Sequence, residues 1–127
     1  MKKEKLCIEY LFDNASKSSL WNHIGTSAGL AGWFADDVTD NGKIFTFTWD
    51  GHSTNAELTG MNPNIYVRFH WIDDENPDSY FEFRLHKIEV TGGLMLEITD
   101  FAEPDEKDAC ITLWNTQIKD LKRLLGL

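Results

Sequence analysis

The sequence predicts an α+β fold in which a curved antiparallel β-sheet of about six or seven strands wraps around a long C-terminal α-helix, with two short helices after the first strand. Two patterns predict this arrangement. Near the C-terminus, apolar residues recur every three or four positions, which is the spacing of an amphipathic helix. Through most of the remaining chain, apolar and polar residues alternate between short turn segments, as they do in neighbouring antiparallel strands.

The long helix is predicted over residues 105–125. Pro104 suits the first turn of this helix. Proline has no backbone N–H, and the N–H groups of a first turn have no partner within the helix. Acidic residues follow Pro104 and basic residues precede Gly126, so both ends complement the helix dipole. The apolar positions share one face, which needs a surface to lie against. They are Cys110, Leu113, Trp114, Ile118, Leu121, Leu124 and Leu125.

The N-terminal part of the chain predicts a strand followed by two short helices. Leu6, Ile8, Tyr10 and Phe12 alternate with Cys7, Glu9 and Leu11, which indicates a strand with one inward face. Ser16 or Ser18 can cap the first helix, and Thr26 or Ser27 can cap the second.

A β-hairpin is predicted around Asp50-Gly51, because both central positions of a type I′ turn need positive φ. This turn would place the aromatic residues of the preceding strand on the inner face of the sheet. The expected pairs are Trp49 with His52, Phe47 with Thr54, and Phe45 with Ala56.

Three further strands complete the predicted sheet. In the run Phe81, Phe83 and Leu85 the inward residues are odd-numbered, whereas the next apolar residues, Ile88 and Val90, are even-numbered. One extra residue would account for this change, so we expect a β-bulge near residues 86–87. The turns between these strands are short, which favours an antiparallel meander.

The length of 127 residues predicts a single domain over residues 1–127. The net charge of −9 would repel phosphate backbones and anionic membranes, so we expect neither nucleic acid nor a membrane as a partner. Cys7 and Cys110 lie in a predicted strand and helix, and no apolar signal segment follows the basic start. We therefore interpret them as reduced thiols of a cytoplasmic protein.

No catalytic residue, cofactor or metal site is predicted. The four histidines lack a metal-binding spacing, and the motifs of a nucleophile elbow, a phosphate loop and a dinucleotide site are absent from the sequence. Asp36 and Asp37 are either an acid–base pair or a turn at the start of a strand. These observations favour a protein that is not an enzyme.

The predicted inner surface is rich in aromatic residues, which either pack into a closed core or line a ligand cavity. Asp37 and His52 are the polar candidates at the mouth of such a cavity, although His52 can equally be a packing residue at the hairpin end. The candidate lining residues are Trp33, Phe34, Phe47, Trp49, Phe69, Trp71, Phe83, Trp114 and Ile118.

The order of elements, the segment GLAGWFADDV at residues 29–38, and a C-terminal helix with Trp114 and Leu121 resemble the START-like (SRPBCC) superfamily and its helix-grip fold. Within it, the chain is similar to the group of the activator of heat-shock-protein-90 ATPase, where a Trp-Phe pair matches Trp33 and Phe34. The resemblance implies an apolar cavity between helix and sheet. Members bind lipids, sterols or polyketides, a few are enzymes, and some bind proteins.

The function predicted first is non-catalytic binding of a small apolar or aromatic molecule in this cavity. The alternative is a protein-interaction module, in which case the resemblance suggests a chaperone-linked partner. An edge strand near the N-terminus could pair two chains, so both a monomer and a homodimer remain open.

Overall fold

The computed structural model describes residues 3–127 as seven strands, three α-helices and one 3₁₀ turn. The elements in chain order are β1 (Glu4–Phe12), α1 (Lys17–Ile24), α2 (Ser27–Leu30), β2 (Asp37–Asp40), β3 (Ile44–Trp49), β4 (His52–Asn62), β5 (Tyr66–Trp71), β6 (Phe81–Lys87), β7 (Leu94–Ala102), the 3₁₀ turn (Pro104–Glu106) and α3 (Lys107–Leu124).

The strands form one antiparallel sheet in the order β1-β7-β6-β5-β4-β3-β2. The first strand lies beside the last, with Glu4 opposite Ala102 and Phe12 opposite Leu94. Helix α3 packs on the inner face of this sheet through Trp114, which belongs to the same buried cluster as the inward residues of the strands. The fold class predicted from the sequence is confirmed.

The hairpin between β3 and β4 has the predicted register. Trp49 lies opposite His52, and Phe45 lies opposite Ala56. Asp50 and Gly51 adopt φ values of 52° and 81°, so both central residues of the turn are left-handed. The turn chemistry and the apolar alternation specify the same pairing, which is why the sequence determines it well.

The two short helices begin at predicted caps. The side chain of Ser16 accepts a hydrogen bond from the backbone N–H of Ser19, and the Thr26 hydroxyl accepts one from the N–H of Gly29 at 3.0 Å. The indole N–H of Trp33 donates to the carbonyl oxygen of His23 at 2.7 Å. The segment after α2 is thereby fixed to the end of α1.

The prediction of a bulge near residues 86–87 is wrong. Strand β6 ends at Lys87, and its register against β7 is continuous up to that residue. The chain then turns, with the Ile88 N–H donating to the Gly93 carbonyl at 2.8 Å, and Val90 is 94% exposed. The phase shift in the sequence therefore reflects a turn that contains apolar residues.

A register shift occurs instead between β4 and β5, at Leu58 and Gly60. A Cβ atom at Gly60 would lie 3.0 Å from the Tyr66 hydroxyl oxygen, so glycine allows the Tyr66 side chain to lie close to the β4 backbone.

The apolar face of α3 is narrower than predicted. Trp114, Ile118 and Leu121 are buried, whereas Leu113 is 60% exposed and Leu124 is 50% exposed. The α-helix also begins later than predicted, at Lys107, because the residues after Pro104 form a 3₁₀ turn. No helix within residues 3–127 is long and apolar enough to cross a membrane.

Candidate ligand-binding cavity

A cavity of about 420 Å³ lies between α3 and the inner face of the sheet. Its volume falls within the range of small-molecule sites, about 300–1,000 Å³. The residues that line it are Phe34, Trp49, Trp71, Phe81, Asp100, Cys110, Leu113, Trp114 and Gln117.

The strand register gathers part of this wall. Phe81 begins β6 and Asp100 lies near the end of β7, and the adjacent pairing of Glu82 with Thr99 places them side by side. Trp71 ends β5, next to the Phe69–Phe81 pair. A meander therefore brings residues that are distant in sequence to one end of the sheet.

The aromatic side chains of the wall support one another. The rings of Trp71 and Phe81 are stacked with centroids 4.8 Å apart, and the rings of Trp49 and Trp71 lie 6.1 Å apart. On the opposite side, Phe34 stacks on Trp114 at 5.6 Å. Such ring pairs add stability beyond the area they bury, so the wall is held in place before any ligand binds.

Two side-chain donors converge on the backbone carbonyl oxygen of Phe34. The Trp49 indole N–H donates to it at 2.8 Å, and the Gln117 amide donates to it at 3.0 Å. Gln117 lies on α3 and Trp49 lies on β3, so this carbonyl connects helix, loop and sheet at the cavity. These two hydrogen bonds tie α3 and β3 to the loop that carries Phe34.

Asp100 is the acidic residue of the cavity lining. Its Oδ2 accepts hydrogen bonds from the Trp114 indole N–H at 2.9 Å and from the Cys110 thiol at 3.4 Å, and its Oδ1 accepts one from the backbone N–H of Phe101 at 2.8 Å. Burial raises the pKa of the Asp100 carboxyl above its ordinary value and outweighs these hydrogen bonds, which lower it.

The Cys110 thiol is not an activated nucleophile. Burial and the adjacent negative charge of Asp100 raise the pKa of Cys110 to about 12. The thiol is therefore protonated at neutral pH, and thiolate chemistry is disfavoured.

The free energy of unfolding of the wild type, relative to that of an Asp100→Asn variant, is expected to increase as the pH is lowered. The folded protein holds the Asp100 proton more tightly than the unfolded chain, so stability falls as the pH rises from the ordinary pKa of 3.8 to the raised folded pKa. The difference in unfolding free energy should change by at most about 1.4 kcal/mol per pH unit.

Urea unfolding of both proteins between about pH 4 and pH 8 measures this difference. The Cys110 thiol stays protonated throughout, because its pKa is about 12. A difference that does not vary with pH, or that favours the wild type at higher pH, contradicts the assignment.

Of the predicted lining residues, the structure places Phe34, Trp49, Trp71 and Trp114 at the cavity. The others are buried in the core and do not line it. They are Trp33, Phe47, Phe69, Phe83 and Ile118.

The two predicted mouth residues lie elsewhere. Asp37 and His52 are exposed, and neither lines the cavity. The neighbouring Asp36 accepts a hydrogen bond from the backbone N–H of Asp50 at 2.7 Å, as in the turn interpretation of this acidic pair.

Asp100 is a cavity residue that the sequence interpretation missed, although a signal was present. It continues the even-numbered phase of Leu94, Leu96 and Ile98, all three of which are buried on the inner face of β7. A polar residue in phase with an inward apolar run marks a buried polar position. The interpretation also missed Phe81, Cys110, Leu113 and Gln117 as lining residues.

A more open groove of about 750 Å³ adjoins the cavity and shares Phe34, Trp49 and Gln117 with it. The acidic side chains of Asp36 and Asp120 also line this groove.

An antiparallel sheet that holds a C-terminal helix against its inner face, with two short helices after the first strand, is the helix-grip fold. The chain belongs to the START-like superfamily, since the family model of the START-like superfamily domain matches residues 1–127. Domains of this superfamily typically bind hydrophobic ligands. The predicted superfamily is confirmed.

Solved structures agree with this assignment. The solution structure of BfR322 from Bacteroides fragilis is 44% identical, covers 98% of this chain and 92% of its own, and has a TM-score of 0.70. The Aha1 dimer from Colwellia psychrerythraea is 20% identical, with 96% of each chain covered and a TM-score of 0.77.

DynU16, a protein of the dynemicin biosynthetic locus, is 16% identical with a TM-score of 0.79, over 96% of this chain and 47% of DynU16. The Aha1 and DynU16 similarities show the fold alone. No curated protein matches this chain significantly.

Proposed function

We propose that the protein is a non-catalytic binding domain for a small apolar or aromatic molecule, which occupies the cavity between α3 and the sheet. The observation that carries this proposal is the 420 Å³ cavity with aromatic walls, beside a core in which Phe47, Phe69 and Phe83 are fully buried. Protein interiors are otherwise filled to crystal-like density, so a space of this size is a binding-site candidate.

Burial of apolar area supplies the affinity. At about 25 cal/mol per Å², a ligand that buries about 200 Å² of apolar surface gains about 5 kcal/mol before the entropic cost of association. The wall adds little to that cost, because its rings are already packed against one another. This arrangement favours flat, aromatic or compact apolar ligands.

The chemistry of the lining residues supports binding rather than catalysis. Cys110 is protonated at neutral pH, and its hydrogen-bond partner Asp100 is a carboxyl group of raised pKa. A nucleophile needs a base that accepts its proton, and the Asp100 carboxyl, which accepts the Cys110 hydrogen bond, does not readily take a proton from a thiol whose pKa is about 12.

A substitution that narrows the cavity is expected to weaken binding by at least about tenfold, which corresponds to 1.4 kcal/mol. Leu113→Trp places a larger side chain at the exposed rim, and Cys110→Phe fills the space one helical turn earlier. Fluorescence of N-phenyl-1-naphthylamine, a neutral aromatic probe, measures the dissociation constant.

Thr116→Trp is the matched control, because Thr116 is exposed on the same helix and does not line the cavity. Its affinity for the probe should equal that of the wild type. If the wild type does not bind the probe, or if both blocking variants bind it as the wild type does, the proposal fails.

A further inference from the structure

We propose that the preferred ligand of this cavity is an organic cation, an ammonium group attached to an apolar body, with the Asp100 carboxylate as its counter-charge. This inference rests on the proposed function and adds the chemical class of the ligand. It is carried by an acidic side chain inside a mostly apolar site whose walls are aromatic.

The hydrogen bonds of Asp100 leave room for a further donor. The carboxylate accepts from the Trp114 indole, the Cys110 thiol and the Phe101 backbone, and all three donors are uncharged. Two carboxylate oxygens offer about four acceptor positions, so about one position remains for an ammonium N–H or for electrostatic contact with a quaternary ammonium.

The protein supplies no ion-pair partner for this charge among the described residues, because none of their salt bridges includes Asp100. Lys3 exerts a favourable electrostatic effect on Asp100, but its ammonium group is bound to Asp74 at 3.2 Å. A carboxylate that is partly removed from water, as Asp100 is, costs free energy when it lacks a counter-ion. A cation inside the cavity would remove that cost, whereas a neutral ligand would not.

The aromatic wall suits an organic cation better than a metal ion. A cation is attracted to the face of an aromatic ring, most strongly to that of tryptophan, and Trp49, Trp71 and Trp114 all line the cavity. Hard metal ions instead need about six or more oxygen ligands, and the cavity offers one carboxylate.

The long-range field acts in the same direction. The chain carries a net charge of −9, and the groove that adjoins the cavity is lined by Asp36 and Asp120. Such a field raises the local concentration of cations and lowers that of anions.

Two probes of nearly identical shape separate charge from apolar burial. Benzyltrimethylammonium carries a quaternary nitrogen where neopentylbenzene has a carbon atom. In isothermal titrations of the wild-type protein, the cation is expected to bind at least about tenfold more tightly than the neutral isostere, although its transfer from water is more costly.

Asp100→Asn should reduce this preference at least about fivefold while the neutral probe binds as before. Trp71→Leu retains an apolar wall but removes an aromatic ring, and should also reduce the preference. Asp73→Asn is the matched control for net charge, since Asp73 is exposed and does not line the cavity, and it should leave the preference unchanged.

Equal or tighter binding of the neutral probe by the wild type overturns this inference and leaves the proposed function standing. The inference is also overturned if the cation preference persists in Asp100→Asn. Binding of neither of these two probes also overturns the inference, and the N-phenyl-1-naphthylamine titration then decides separately whether the proposed function stands.

Discussion

Replacement of Trp114 by alanine is expected to lower the free energy of unfolding by about 3–5 kcal/mol. Trp114 is 5% exposed and packs against Phe34 and Phe83, with ring centroids 5.6 Å and 5.7 Å away. The substitution removes both ring contacts and the indole hydrogen bond to Asp100, which leaves one donor fewer on a half-buried carboxylate.

Urea unfolding monitored by circular dichroism measures this loss. Leu113→Ala is the control on the same helix, because Leu113 is 60% exposed and should cost less than about 1 kcal/mol. If Trp114→Ala cost as little as the control, Trp114 would be a mobile gate over the cavity rather than the contact that holds α3 on the sheet.

Replacement of Gly29 by alanine is expected to cost about 3 kcal/mol, at the upper end of overpacking effects. A Cβ atom at Gly29 would overlap the backbone carbonyl oxygen of Asn22 and approach the Cα of His23 to 2.6 Å. Both obstacles are backbone atoms, so no side-chain rotation relieves the clash. Helices α1 and α2 would have to separate.

The effect should extend to the cavity, because the segment after α2 carries Phe34. Thermal unfolding and probe affinity are measured together for Gly29→Ala and for Ala28→Ser, a control at the exposed neighbouring position. A Gly29→Ala protein as stable as the control would show that the two helices are not packed this closely.

The sheet was predictable where two independent signals specified the same register. At the β3–β4 hairpin, the Asp50-Gly51 turn and the inward aromatic residues require the same pairing, and the structure has it. After β6, the bulge was predicted from alternation alone. Ile88 and Val90 continue an apolar pattern, yet they lie in a turn, because periodicity alone does not show where a strand ends.

The cavity was less predictable than the sheet, because its lining depends on which inward residues reach one end of the sheet. Phe47 and Phe69 are as inward and aromatic as Trp49 and Trp71, but they are fully buried by their neighbours, whereas the tryptophans at the strand ends line the cavity. Periodicity assigns a residue to a face of the sheet, and tertiary packing then decides whether that residue is covered.

The importance of Asp100 could have been inferred from its phase in β7, but its environment could not. Its partners Cys110 and Trp114 come from α3, and the sequence does not specify how that helix is rotated on the sheet. The predicted seven-residue apolar face of α3 left several rotations open. The structure selects the one that buries Trp114 above Asp100.

The central claim, that the space between α3 and the sheet binds a small apolar molecule, is tested most directly by the five tryptophan indole N–H signals in nitrogen-15 NMR spectra. Titration with N-phenyl-1-naphthylamine should shift the signals of Trp49, Trp71 and Trp114, which line the cavity. The signals of Trp21 and Trp33 should not move, since neither residue lines it. Shifts confined to Trp21 and Trp33, or no shifts at saturating probe, would contradict the claim.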